Sequence, residues 1–126
     1  SFADPGDLPP VRGHRHRFVM VVVNLLRNAL QSSADRTTRV RVAVTTVASG
    51  HVCLAVDDDG PGVPEQYREA IFQPNFSLRV EGHGQGLALV RDVVEGEMSG
   101  SVRCETSDLG GARFVLLLPP ATRRAV

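Results

Sequence analysis

Lysine is absent from this 126-residue chain: all 14 basic residues are arginine, and 14 acidic residues bring the formal charge to zero. Without lysine there can be no phosphate loop of the G-x-x-x-x-G-K-[ST] type, whose lysine reaches the phosphates. The even charge balance removes the basic footprint expected of a nucleic-acid-binding protein. Two cysteines, Cys53 and Cys104, are too few for a disulfide framework. Both read as small apolar residues of strands, in keeping with a reducing compartment. No apolar run approaches the roughly 20 residues that span a bilayer, and no signal peptide is visible. Membrane attachment is therefore expected to come from a part of the protein outside this chain. Internal repeats and linkers are also lacking. The length suits one domain, residues 1–126, with 1–13 and 120–126 expected to be loosely ordered.

What is present is a clear alternation of periods. Residues 16–33 contain neither Gly nor Pro, and Val22, Leu25, Leu26, Ala29 and Leu30 follow a 3.6-residue repeat. This outweighs the strand propensity of Val21-Val22-Val23 and predicts a helix buried on most of its circumference. In 39–47, Val40, Val42 and Val44 alternate with Arg39, Arg41 and Ala43, and in 51–57 Val52, Leu54 and Val56 face one way; with the Ala48-Ser49-Gly50 turn between them, this predicts a hairpin. Pro64 suits the first turn of a short helix over 64–71. A second helix is predicted over 86–97, with Leu87, Val90, Val93 and Val94 on one face. Strands over 101–106 and 112–118 flank Asp108-Leu109-Gly110-Gly111 as another hairpin, and a short strand is possible near 8–12. This order of elements predicts a mixed sheet with helices packed on one face.

Three groups of residues carry chemistry. Asn24 and Asn28 are four apart, about 6 Å on a helix but about 13 Å on a strand. Only the helical spacing lets both reach one phosphate–metal cluster, and Mg²⁺, which keeps most of its waters, accepts a single amide oxygen beside phosphate oxygens. Asp57-Asp58-Asp59-Gly60-Pro61-Gly62 ends a strand, where a carboxylate can accept the exocyclic N–H of adenine. Guanine presents an acceptor at that position and would be rejected. An acidic turn is the plainer account, but three consecutive like charges repel. Gly82, Gly84 and Gly86 can bring backbone amides around phosphates at a helix N-terminus. Their G-x-G-x-G spacing, late in the chain, does not fit a dinucleotide fingerprint. His14 and His16, among Arg12, Arg15 and Arg17, read as a solvated helix start rather than a metal site.

In this order the motifs resemble the ATP-binding catalytic domain of two-component sensor histidine kinases, in the GHKL ATPase superfamily, over residues of about 19–119. Val23-Asn24-Leu25-Leu26-Arg27-Asn28-Ala29 is similar to the family's N box. Asp58-Asp59-Gly60-Pro61-Gly62-Val63-Pro64 is similar to its first glycine box, Ile71-Phe72-Gln73-Pro74-Asn75-Phe76-Ser77-Leu78-Arg79 to its F box, and Gly82-His83-Gly84-Gln85-Gly86-Leu87-Ala88-Leu89 to its second glycine box. The resemblance implies an α/β (α+β) two-layer sandwich of the Bergerat type, with ATP held between the N-box helix and a lid. It makes Asn28 the Mg²⁺ ligand, Asn24 a catalytic residue near the phosphates and Asp58 the adenine carboxylate. Gly60, Gly62, Val63 and Phe72 join the ATP site, as do Gly82, His83, Gly84, Gln85, Gly86 and Leu87. Arg79, the one arginine between Phe72 and the glycine loop, would supply charge near the γ-phosphate. Val80 and Glu81 alone separate it from Gly82, as in the short-lid kinases of the nitrogen-regulation type.

The departures are Gln31 in place of Lys, Asn75 of an aromatic, His83 of Thr, Gln85 of Leu and Ala112 of Thr. No phosphoacceptor helix is recognisable. The expectation is a cytoplasmic fragment of a larger kinase that binds ATP with Mg²⁺ but does not phosphorylate itself. Its expected partners are ATP or ADP, the dimerisation and histidine phosphotransfer domain of the same kinase and, indirectly, a response regulator, with neither nucleic acid nor membrane contact. A non-catalytic nucleotide-sensing module is the alternative. An anti-sigma-type serine kinase or a DNA-repair ATPase of the same superfamily fits the F box less well.

Overall fold

The computed structural model describes residues 15–31, 39–74 and 84–120, apart from the side chains of Gln31 and Gln85. The helix α1 runs Arg15–Gln31, and a hairpin follows, β1 Val40–Thr46 and β2 Val52–Asp58. Two 3₁₀ turns, Glu65–Tyr67 and Ala70–Phe72, stand where one short helix was predicted. Then come α2, Gly84–Arg91, its π-helical continuation Asp92–Glu97, and the hairpin β3 Ser101–Thr106 and β4 Ala112–Leu118. The sheet order is β1-β2-β4-β3.

Every pairing among the described strands is antiparallel, so the parallel contact that a mixed sheet needs is not among them. The short strand expected near 8–12, and both expected loose ends except Pro120, lie outside the described residues. Both helices sit on one face of the sheet, giving the two-layer α/β sandwich. Their apolar sides close on Leu54 and Val56 of β2 and on Phe114, Leu116 and Leu118 of β4. The alternation of the strands dictates this, since residues two apart share a face.

α1 is less enclosed than its composition suggests. Val21, Leu25 and Ala29 form the buried stripe at four-residue spacing, whereas Val19, Val23 and Leu30 are exposed. The expectation of burial on most of its circumference is therefore corrected: one sheet and one neighbouring helix can cover only one side. The 64–71 segment forms i→i+3 bonds, such as Tyr67 N–H to Pro64 C=O at 2.9 Å and Gln73 N–H to Ala70 C=O at 2.9 Å. These tight turns swing Ile71 and Phe72 into the core. In the π segment, Met98 N–H reaches Val93 C=O, five residues back, at 2.9 Å. The widened turn puts Val93, Val94 and Met98 all inside the core.

The two cysteines lie on opposite faces of the sheet, since Cys53 pairs with Leu117 and Cys104 with Phe114. Cys104 is a core residue as expected, while Cys53 is only half-buried on the face away from the helices. Burial pushes the Cys104 thiol up to about 11. Below pH 9 the thiol is neutral folded or unfolded; between about 9 and 11 only the unfolded chain releases the proton, so stability falls as pH rises through that window. Urea melts are expected to show this alkaline loss in the wild type and a smaller one in Cys104→Ala. A thiol reagent at pH 8 is expected to leave Cys104 unmodified in the folded protein, and fast modification of both cysteines would contradict the placement.

Among the described residues no helix is long and apolar enough to cross a membrane.

Candidate functional site

The three consecutive aspartates at the end of β2 avoid mutual repulsion by parting company. Asp57 projects from the outer face of the sheet, with Arg41 Nη2 at 3.6 Å and Arg113 Nη1 at 3.9 Å. Asp59 turns to the residue just ahead of β1: its carboxylate accepts the Arg39 N–H at 3.1 Å and lies 3.6 Å from Arg39 Nε. Asp58, between them, faces the helix side and is 1% exposed. No cation among the described residues pairs with it. Its Oδ1 accepts the Gly60 N–H at 2.9 Å and the Ala112 N–H at 3.1 Å, leaving Oδ2 without a donor among the described residues. Burial first of all, with the charges of Asp59 and Asp57 added, pushes the Asp58 carboxyl above its ordinary value, against the pull of those two N–H groups. The result is a fixed carboxylate with one oxygen tied down and one to offer.

The Ser107–Gly111 turn between β3 and β4 completes the surroundings of Asp58. Gly111 donates its N–H to the Asp58 carbonyl at 3.0 Å and packs so closely that a Cβ there would stand 2.1 Å from Asp58 Oδ1. Gly111 is a neighbour of Asp58 that the sequence reading missed, and Ala112, noted there only as a departure from Thr, takes part through its backbone N–H. The tandem Gly110-Gly111 ahead of Ala112-Arg113-Phe114 was the available signal, and it reads equally well as an ordinary hairpin turn. Gly62, with φ of 77°, passes against the Gly111 backbone. Val63 is half-buried beside the core, and its carbonyl accepts the Arg68 Nε–H at 3.1 Å.

A second cluster lies where α1 meets α2. Asn24 donates its amide N–H to the Met20 carbonyl at 2.8 Å, which turns Oδ1 toward Gly86; a Cβ on Gly86 would stand 2.8 Å from that oxygen. The predicted asparagine helix and glycine helix thus meet at this pair. Asn28 lies one turn on, half-buried, and its side-chain amide has no hydrogen-bond partner among the described residues. No cluster of three or more His, Cys, Asp or Glu that could hold a metal occurs among the described residues. A single neutral amide completed by ligand oxygens is the kind of donor set Mg²⁺ accepts, so Asn28 fits the assignment.

Phe72 and Leu87 are core residues, Phe72 meeting Phe114 edge-on at 6.1 Å with the Arg91 guanidinium 5.5 Å above its ring. Gly84 begins α2, as a helix opened by the glycine loop requires. Arg79, Gly82 and His83 lie outside the described residues, as do the side chains of Gln31 and Gln85.

Comparison with known proteins identifies the family of the chain. The profile of histidine kinase-, DNA gyrase B- and HSP90-like ATPases matches residues 13–122. The sensor histidine kinase ZraS of Escherichia coli O157:H7 is 36% identical over 113 residues, covering 89% of this chain and 24% of that protein. The mycobacterial sensor histidine kinase MprB superposes with a TM-score of 0.75 at 30% identity, covering 90% of this chain and 76% of that one. Full-length ShkA in complex with AMPPNP gives 0.73 at 30% identity, covering 94% and 24%. The chain spans about a quarter of the length of the curated relatives it matches. It belongs to the family of histidine kinase-, DNA gyrase B- and HSP90-like ATPases, as an ATP-binding catalytic domain of the sensor histidine kinase kind.

Proposed function

We propose that this domain binds ATP with Mg²⁺ and presents the γ-phosphate to a histidine on a separate dimerisation and phosphoacceptor domain, in two-component signalling. The observation that carries the reading is Asp58: a buried carboxylate, fixed through Oδ1 by two backbone N–H groups, with Oδ2 open to accept the exocyclic amine of adenine. Gly60, Gly62 and Val63 would lie along the base. Gly82, His83, Gly84, Gln85 and Gly86 would surround the phosphates, with the amides at the start of α2 favouring their negative charge. Asn28 would hold Mg²⁺, which would neutralise phosphate charge.

What remains for the protein is positioning, because phosphoryl transfer needs little else. Asn24 is fixed by its bond to Met20 and is neutral, so it can orient a phosphate oxygen but cannot take a proton from water. That favours transfer to an intrinsically nucleophilic imidazole over hydrolysis. Arg79 would supply the charge for which other proteins use lysine. The domain would work in the cytoplasm, with any anchor provided by another part of the parent kinase, and a response regulator would receive the phosphoryl group later.

Supplying a phosphoacceptor domain and labelled ATP tests the reading. Label on that domain's histidine is the expected result. Tight ATP binding without transfer to any acceptor would favour the nucleotide-sensing alternative, which the departures at Gln31, His83 and Gln85 motivate. Asn28→Ala is expected to weaken ATP binding about tenfold in Mg²⁺ and hardly at all in EDTA, by calorimetry, since a hydrogen-bond-sized interaction with an ion is lost. Equal losses in both buffers would remove Asn28 from the metal site.

A further inference from the structure

We infer that Asp57, on the outer face of the sheet, is a positioning residue for adenine recognition, acting through Ser107 and the β3–β4 turn. The inference deepens the nucleotide reading of Asp58 and rests on it. Asp57 and Asp58 are neighbours on β2 and therefore project to opposite faces of the sheet. The Ser107–Gly111 turn is held by both. On the outer side the Ser107 hydroxyl donates to Asp57 Oδ1 at 2.8 Å, and that hydroxyl in turn accepts the Leu109 N–H at 3.0 Å. On the inner side the Gly111 and Ala112 N–H groups meet the Asp58 carbonyl and carboxylate. The turn is stapled at one end to each aspartate.

The turn does not need Asp57 in order to close. Ser107 N–H already reaches Gly111 C=O at 2.8 Å, and Gly110 N–H reaches Ser107 C=O at 3.0 Å. Asp57 is 1% exposed and Ser107 4%, and a carboxylate taken so far out of water carries a desolvation cost that a closed hairpin gives no reason to accept. What the bond adds is the sideways position of the turn relative to β2, and that position sets where Ala112 N–H meets Asp58 Oδ1. Arg41 and Arg113, which pair in register with Asp57 from the strands on either side, supply the countercharge. Arg41 also holds Asp108 of the same turn. The outer face thereby fixes the rotation of the Asp58 carboxylate, and with it the direction in which Oδ2 points.

The test compares ADP with IDP, whose base carries a carbonyl where adenine has its amine, in the wild-type chain and in Ser107→Ala, Ser107→Thr and Asp57→Ala. Amide hydrogen exchange of Ala112 is followed in the nucleotide-free protein. The wild type is expected to prefer ADP by roughly tenfold or more. Ser107→Ala and Asp57→Ala are expected to cut that preference about threefold to tenfold and to speed Ala112 exchange, while Ser107→Thr keeps both near wild type. If Asp57→Ala does not fold, the serine pair decides alone. An unchanged ADP preference in Ser107→Ala overturns the inference, even if the melting temperature falls or Ala112 exchanges faster, because the turn would then serve stability only. A wild type with no preference for ADP over IDP sinks the adenine reading of Asp58, and this inference with it.

Discussion

Asp58→Ala is expected to weaken ATP binding by roughly tenfold to a hundredfold, the size of a lost hydrogen bond to a charged acceptor. Asp58→Asn is the sharper variant. Its amide oxygen can still accept the Gly60 and Ala112 N–H groups, which places the NH₂ group where Oδ2 now stands, donor facing donor on adenine. Affinity should therefore fall as far as in the alanine variant, whereas stability should not. The folded domain holds the Asp58 carboxyl above its ordinary value, so stability declines as pH rises from the ordinary carboxylate range through the raised one. At neutral pH the ionised carboxylate is a burden on the nucleotide-free fold. Asp58→Asn is expected to melt at or above the wild-type temperature while losing ATP, and calorimetry with thermal melts checks both. ATP affinity should also fall as the pH is lowered toward the raised value, where Oδ2 becomes protonated. Wild-type affinity in either variant would reduce Asp58 to a turn residue.

The distinction between Asp58 and its neighbours shows how far residues alone could lead. The repulsion among Asp57, Asp58 and Asp59 was evident in the sequence, but its resolution was not. Arg41, Arg113 and Arg39 reach Asp57 and Asp59 only because β1 and β4 flank β2, which is a matter of register between distant segments. Strand alternation made both hairpins legible, and the strands 101–106 and 112–118 stand where their residue pattern put them. The four-residue spacing of Asn24 and Asn28 likewise sufficed to put both on one helix. The π segment was hidden because Val93, Val94 and Met98 suit an α-helical period closely enough until the core requires all three on one side. Leu30 misled for the opposite reason: its apolar character fits the buried period, yet it stands exposed beside the buried stripe of Val21, Leu25 and Ala29.

Among the glycines of the described residues, Gly111→Ala should be the most damaging substitution. The added Cβ would stand 2.1 Å from Asp58 Oδ1 and 2.6 Å from both the Asp58 carbonyl oxygen and the Gly60 nitrogen. Two of these are backbone atoms and the third is a carboxylate held by two N–H groups, so none can move aside without breaking the pocket. Relief requires the β3–β4 turn to lift away from β2, losing the Gly111 N–H bond to the Asp58 carbonyl and the Ala112 N–H bond to Oδ1. Overpacking of this kind costs about 1–3 kcal/mol, and the broken bonds add about 1 kcal/mol each. The melting temperature is expected to fall by roughly 10–20 °C. Gly96→Ala is the control, since a Cβ there meets nothing within 4 Å, and it should melt within a few degrees of the wild type, about 0–1 kcal/mol more stable. ATP affinity should fall in Gly111→Ala at least as far as in Asp58→Ala, because the carboxylate loses its fixed orientation along with a donor, and it should be untouched in Gly96→Ala. A Gly111→Ala protein that melts and binds ATP as the wild type does would show that the turn is not pressed against Asp58, and the adenine pocket would have to be sought elsewhere.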